Sequence, residues 1–167
     1  MAFLHIPGHD PKGAHWQGYE WSDWHSLRQV SDGSQEVFAD VPPLVRVAGL
    51  YRLCLRRQKG LLYIGQTGRS LQHRLRGHYD RALFASGIKV RRSTRPVRPM
   101  YRQLGKMLGD GWSVMASWIP LPGLPKGDRL GVEAELIAAY RAVMGKNPTL
   151  QFLSLDEDDD IGAGNGL

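Results

Sequence analysis

The stretch "AGLYRLCLRRQKGLLYIGQTGRSLQHRLRGHY", residues 48–79, decides the fold of this 167-residue chain. It begins inside "LVRVAGLYRLCL" (44–55), whose β-branched and aromatic residues read as a strand with Tyr51, Leu53 and Leu55 on one face. "RRQKG" (56–60) is a polar connection containing glycine, as a hairpin loop should be. "LLYIG" (61–65) is the partner strand, ended by Gly65, and "QTGR" is a turn. Ser70 is a good N-cap for a helix over 71–84. On that helix Leu71, Leu75 and Tyr79 form one stripe, and Arg74 and His78 form its neighbour. Two tyrosines therefore stand on adjacent strands, and a strongly basic helix comes directly after them.

Downstream, "SGIKVRRSTRPVRP" (86–99) is a basic loop, and "MYRQLGKMLG" (100–109) is a short helix closed by Gly109. "WSVMASWI" (112–119) alternates like a strand and leads into a proline-rich loop. The helix at 129–145 repeats Val132, Leu136, Ile137, Tyr140 and Met144 at helical spacing, with Gly145 at its C′ position. Upstream, residues 1 to about 15 are rich in Gly, Pro and His and are expected to be poorly ordered. Ser22 is expected to cap a short helix carrying Trp24 and Leu27, with Trp16, Trp21 and Trp24 packing this arm onto the main domain. The order β-β-α-α-β-α predicts an α+β fold, a small mixed or antiparallel sheet flanked by helices, with an N-terminal helical arm. The expected units are an arm at 1–43, a domain at 44–153 and an acidic, disordered tail at 154–167.

Charge divides the chain. The net charge is +6, and between Arg52 and Arg102 there are 14 Lys and Arg against one acid, Asp80. Residues 1–51 hold 3 basic and 6 acidic residues, and "DEDDD" (156–160) is wholly acidic. Such segregation is expected of a surface that faces a polyanion, whereas an ordinary solvated face mixes both signs. No apolar run is long enough for a membrane span, and the N-terminus lacks the pattern of a secretory signal. Cys54 is the only cysteine, so no disulfide forms within the chain, a cytoplasmic setting is expected, and Cys54 reads as a small buried hydrophobe.

These residues resemble the GIY-YIG nuclease family. Gly49-Leu50-Tyr51 stands where the family has Gly-Ile-Tyr, and Tyr63-Ile64-Gly65-Gln66-Thr67 matches the second half-motif. Arg74 comes after a leucine on the first helix, and His78 lies one turn on, as in several DNA-cutting members. Glu133 opens the family's Glu-x-x-Leu-Ile pattern, here Glu133-Ala134-Glu135-Leu136-Ile137. The resemblance covers about residues 45–152. It departs at the asparagine that often stands after the last helix, three residues beyond a proline. Gln151 stands there after Pro148, and Asn147 lies nearby out of register.

The resemblance implies a Mg²⁺- or Mn²⁺-dependent DNA endonuclease, with RNA as an alternative substrate. Tyr51 would take the proton of the attacking water, helped by a neighbouring base because a free phenol has a pKa of about 10. Arg74 would hold the phosphate with its bidentate fork, and His78 would accept or relay the proton. Tyr63 would hydrogen-bond the water or the phosphate, and Glu133 would hold one divalent ion. Glu135 and His73 are expected to point away from this group. Arg69, Arg76, Arg81, Lys89, Arg91, Arg92, Arg95 and Arg98 are candidate DNA-phosphate contacts, which give affinity rather than sequence choice. A restriction or defence role competes with repair, recombination or mobile-element roles, with a secreted toxin, and with a non-catalytic binding module on the same fold. One such site cuts one strand, so a double-strand break would need a homodimer or two visits.

Overall fold

The computed structural model describes residues 9–27, 46–85 and 97–153. Its centre is the hairpin of β2 (Gly49–Leu55) and β3 (Leu61–Thr67), antiparallel as their alternation requires. Strand β3 runs two residues beyond Gly65, because Gln66 and Thr67 still pair with Leu50 and Gly49. β2 begins at Gly49, so residues 46–48 of the expected strand are not part of it, and residues 44–45 lie outside the described residues. A bulge leaves Leu62 unpaired, since Leu53 faces Tyr63 while Cys54 faces Leu61. Leu62 and Tyr63, consecutive in sequence, therefore pack on the same side as Tyr51 and Leu53.

On the other side of β2 lies β4 (Val114–Pro120), and a two-residue strand β1 (His25–Ser26) pairs with β4. The sheet order is β1-β4-β2-β3, every pair antiparallel. With α1 (Leu71–Ala85), α2 (Pro99–Gly109) and α3 (Lys126–Met144), the described residues form an α+β fold of four strands and three α-helices. No helix among the described residues is long and apolar enough to cross a membrane.

Both faces of the sheet are covered. On one, Tyr51, Leu53, Leu55 and Trp118 meet Leu71, Leu75 and Ala82 of α1 and Leu104 of α2. Each fully buried leucine of that face contributes roughly 1.5–3 kcal/mol relative to exposure. The side chain of Tyr79, third in the expected stripe, lies outside the described residues. On the other face, Leu50, Cys54, Leu61 and Ile64 meet Leu136, Ile137 and Tyr140 of α3, together with Trp16 and Trp21. Cys54 is buried there, as its apolar setting predicts. Gly145 takes a left-handed φ of 74° and ends α3, and α2 is capped by Asp110 rather than by Gly109.

The outer edge of β3 is sealed by residues 149–151, which lie just past the end of α3. Thr149 and Leu150 donate backbone N–H groups to the Leu61 and Leu62 carbonyls. Gln151 Oε1 accepts from the Ile64 N–H at 3.0 Å. Gln151 thus has a structural task on an edge that would otherwise offer unpaired groups.

The N-terminal segment corrects the sequence reading twice. Residues 9–15 are placed against the domain, because the buried Arg52 guanidinium donates to the carbonyls of Pro11 and Gly13 at 2.5 and 2.8 Å. Residues 22–27 form no helix. Ser22 Oγ accepts from the Trp118 N–H at 3.0 Å instead of capping a turn, and pairing with β4 takes His25 and Ser26 as strand. The tryptophans do pack the segment down, since the Arg52 guanidinium lies 6.0, 4.2 and 4.7 Å from the rings of Trp16, Trp21 and Trp24. Burial lowers the Arg52 pKa to about 9, so it keeps its charge at neutral pH. The rest of the arm (1–8 and 28–43) and the acidic tail (154–167) lie outside the described residues.

Candidate active site

Cross-strand pairing places Tyr51 opposite Gly65, with Tyr63 two residues away on the same face. The two tyrosine rings lie 6.1 Å apart. Gly65 is what lets Tyr51 lie there: a Cβ on it would fall 2.5 Å from the Tyr51 hydroxyl oxygen and 2.7 Å from Tyr63 Cε1. Gly49 is constrained in the same way, because a Cβ there would run into the Ile119 carbonyl of β4. Both motif glycines are therefore steric necessities of close strand packing.

Helix α1 crosses this face and brings His78 under the tyrosines. His78 Nε2 and the Tyr51 hydroxyl are 2.5 Å apart, and both residues are 2% exposed. The His78 ring also lies 5.9 Å from Tyr63 and 5.5 Å from Tyr101 of α2. Burial, then the Arg74 and Arg81 charges, lowers the His78 pKa to about 3, so the imidazole is neutral. Burial raises the Tyr51 phenol well above its usual value, with Tyr63 adding to the rise and Arg74 opposing it. A neutral phenol and a neutral imidazole thus share a short hydrogen bond. His78 Nδ1, also buried, has no hydrogen-bond partner among the described residues.

Glu133 reaches the group from α3. It is half-buried, and burial raises its carboxyl pKa, while the Gln66 backbone N–H and the Arg74 charge oppose that rise. The same carboxylate raises both tyrosines. The mutual influence of Tyr51, Tyr63, Arg74 and Glu133, with His78 bonded to Tyr51, places all five expected residues in one neighbourhood. Glu135 is exposed, as helical spacing predicts.

Beside this group lies a cleft of about 380 Å³, formed by the β3–α1 turn, one side of α1 and the start of α3. Arg69, Arg74, Arg81, Lys126 and Arg129 line it, and among the described residues no acidic one does. His73 lines it too, against the expectation that it points away: one helical step of about 100° keeps it on the rim beside Arg74. Arg76 and Arg98 are exposed outside the cleft lining, and Lys89, Arg91, Arg92 and Arg95 lie outside the described residues.

Sequence reasoning missed three contributors. Tyr101 accepts from Arg81 Nη1 at 2.8 Å and stands beside His78. Arg129 lies one turn before Glu133, a spacing that was available as a signal. Gln66 serves both, since its backbone N–H meets Glu133 and its side-chain oxygen accepts from Arg129 Nε at 3.1 Å.

Glu133 would offer a metal ion a single carboxylate. Among the described residues no three His, Cys, Asp or Glu side chains cluster. That donor set fits Mg²⁺ held by one carboxylate, retained waters and substrate phosphate, and does not fit a dedicated protein cage. Comparison of the chain with protein-family models, with curated proteins and with solved structures returned no match.

Proposed function

We propose that this protein is a metal-dependent endonuclease of the GIY-YIG type, hydrolysing phosphodiester bonds in DNA. The observation that carries the reading is the bonded Tyr51–His78 pair with Tyr63, Arg74 and Glu133 around it. Five residues drawn from a hairpin and two helices, each matching one family pattern in sequence, share one site beside a cationic cleft.

Arg74 binds a phosphoryl oxygen of the scissile group. Water gives its proton to the Tyr51 oxygen while the phenolic proton passes to His78 Nε2, so no free phenolate forms in a buried place. Burial, and after it the charges of Arg74 and Arg81, hold His78 down in the free protein. A bound phosphate offsets those charges and makes the imidazole a better acceptor when substrate is present. Tyr63, partly exposed, donates to the phosphate or orients the water. Glu133 would hold a Mg²⁺ or Mn²⁺ ion, which would supply charge neutralisation at the leaving oxygen when bound. The basic surface favours a nucleic-acid substrate, a cytoplasmic setting suits the lone cysteine, and the basic run of sequence at 86–99 favours a restriction or defence role.

The test is cleavage of supercoiled and linear DNA, and of RNA, with Mg²⁺, Mn²⁺ or EDTA, beside Tyr51→Phe and Glu133→Ala. The wild type cuts only with metal, and each variant loses at least about 10²-fold in rate. No cutting under any metal condition sinks the enzyme reading and leaves a binding module. Activity retained in Glu133→Ala removes the metal assignment.

A further inference from the structure

We infer that the cleft between the start of α3 and α1 is a second phosphate subsite, with Arg129 as its fixed element, receiving an internal phosphodiester next to the one that is cut. Adjacency to the scissile phosphate rests on the nuclease reading; anion binding in the cleft does not.

Arg129 is 8% exposed, which is costly for a guanidinium without a purpose or a partner. Its Nε donates to Gln66 Oε1 at 3.1 Å, and its Nη1 donates to the Leu124 carbonyl. Neither partner is an anion, so the positive charge is braced without being neutralised. The brace depends on Gly68, where a Cβ would fall 2.5 Å from Arg129 Nη2. A guanidinium fixed in this way loses little rotamer freedom on meeting a ligand.

Around it the cleft gathers Lys126 from the same helix, Arg69 from the turn, and Arg74 and Arg81 from α1. Like charges in one concavity repel in the free protein, and a polyanion relieves the repulsion. Arg74 belongs to both the cleft and the catalytic group. Gln66 ties the two together, touching Glu133 through its backbone and Arg129 through its side chain. A strand with one phosphate at Arg74 would therefore lay its neighbour along the wall that ends at Arg129. The subsite is blind to base identity, because it offers charge and not base-edge contacts.

The experiment is a salt titration of binding, in EDTA so that nothing is cut, with a fluorescent DNA duplex read by anisotropy. The proteins are wild type, Arg129→Gln, Arg129→Lys and Lys126→Ala. Removing one phosphate contact weakens binding on every sequence and lowers the slope of log K against log salt by about 1. Arg129→Gln and Lys126→Ala are expected to do both, and Arg129→Lys to keep most of the slope. Unchanged affinity and slope in folded Arg129→Gln overturn the assignment. Should that variant not fold, Lys126→Ala at its exposed position decides alone, and an unchanged slope there is equally fatal. Duplexes with and without a 5′-phosphate separate the sources: a loss confined to the phosphorylated probe overturns the internal phosphodiester. Wild type that binds through Arg129 without cutting DNA keeps the subsite and sinks the nuclease; cutting with unaltered slopes in both variants does the reverse.

Discussion

The neutral state of His78 has a consequence that needs no substrate. In the folded chain, burial and the charges of Arg74 and Arg81 lower its pKa to about 3, against 6.5 when free. Between those values the unfolded chain takes up a proton that the folded chain refuses. Stability is therefore fully present above pH 6.5 and falls as pH drops through the window toward 3. Each pH unit inside the window is worth about 1.4 kcal/mol, and pH 5 lies about 1.5 units inside it. Roughly 2 kcal/mol of folding stability should disappear between pH 7 and pH 5 on account of this one imidazole. Urea unfolding of wild type and of His78→Gln at pH 7, 6 and 5 isolates it, because the amide does not titrate while other groups are common to both chains. The variant starts less stable, since the 2.5 Å bond to Tyr51 is altered, but the wild-type curve should fall by about 2 kcal/mol more. Parallel curves would mean that the imidazole accepts its proton in the folded protein, and the proton path through Tyr51 would lose its neutral acceptor.

Other consequences are local. Gly65→Ala pushes a methyl against the Tyr51 hydroxyl and the Tyr63 ring, so about 1–3 kcal/mol of stability should be lost, read from the urea midpoint; a neutral effect would contradict the close approach. Gly77→Ala is the opposite case, because nothing stands within 4 Å of the added Cβ inside α1, and about 0.5–1 kcal/mol should be gained in the same measurement. Arg52→Met leaves the carbonyls of Pro11 and Gly13 without their donor and removes the cation from among Trp16, Trp21 and Trp24. Limited proteolysis should then open the segment at 9–27, with a red shift in tryptophan emission; an equally resistant segment would show that Arg52 is not its latch.

The alternation of 48–79 was enough to place the hairpin and the helix after it, because strand and helix periods are local properties of the chain. The α+β class came from element order, and the five residues of the candidate site came from the resemblance of their motifs to a known family. Sequence spacing also separated Glu133 from Glu135, since two helical steps rotate a side chain away from its neighbour. Tertiary structure decided the rest. Residues 22–27 carry signals for a short helix, yet the open side of β4 captured His25 and Ser26 as strand, because ladder hydrogen bonds outweigh a weak local preference. In the sequence Arg52 is only one of the 14 basic residues between 52 and 102, and the return of residues 9–24 across the sheet made it the buried centre of three tryptophans. Arg129 likewise became part of a cleft only when α3 met the β3–α1 turn. What a side chain is made of and how far it stands from its neighbours in sequence were written in the chain; which distant carbonyls and charges it meets was decided where segments far apart in sequence pack together.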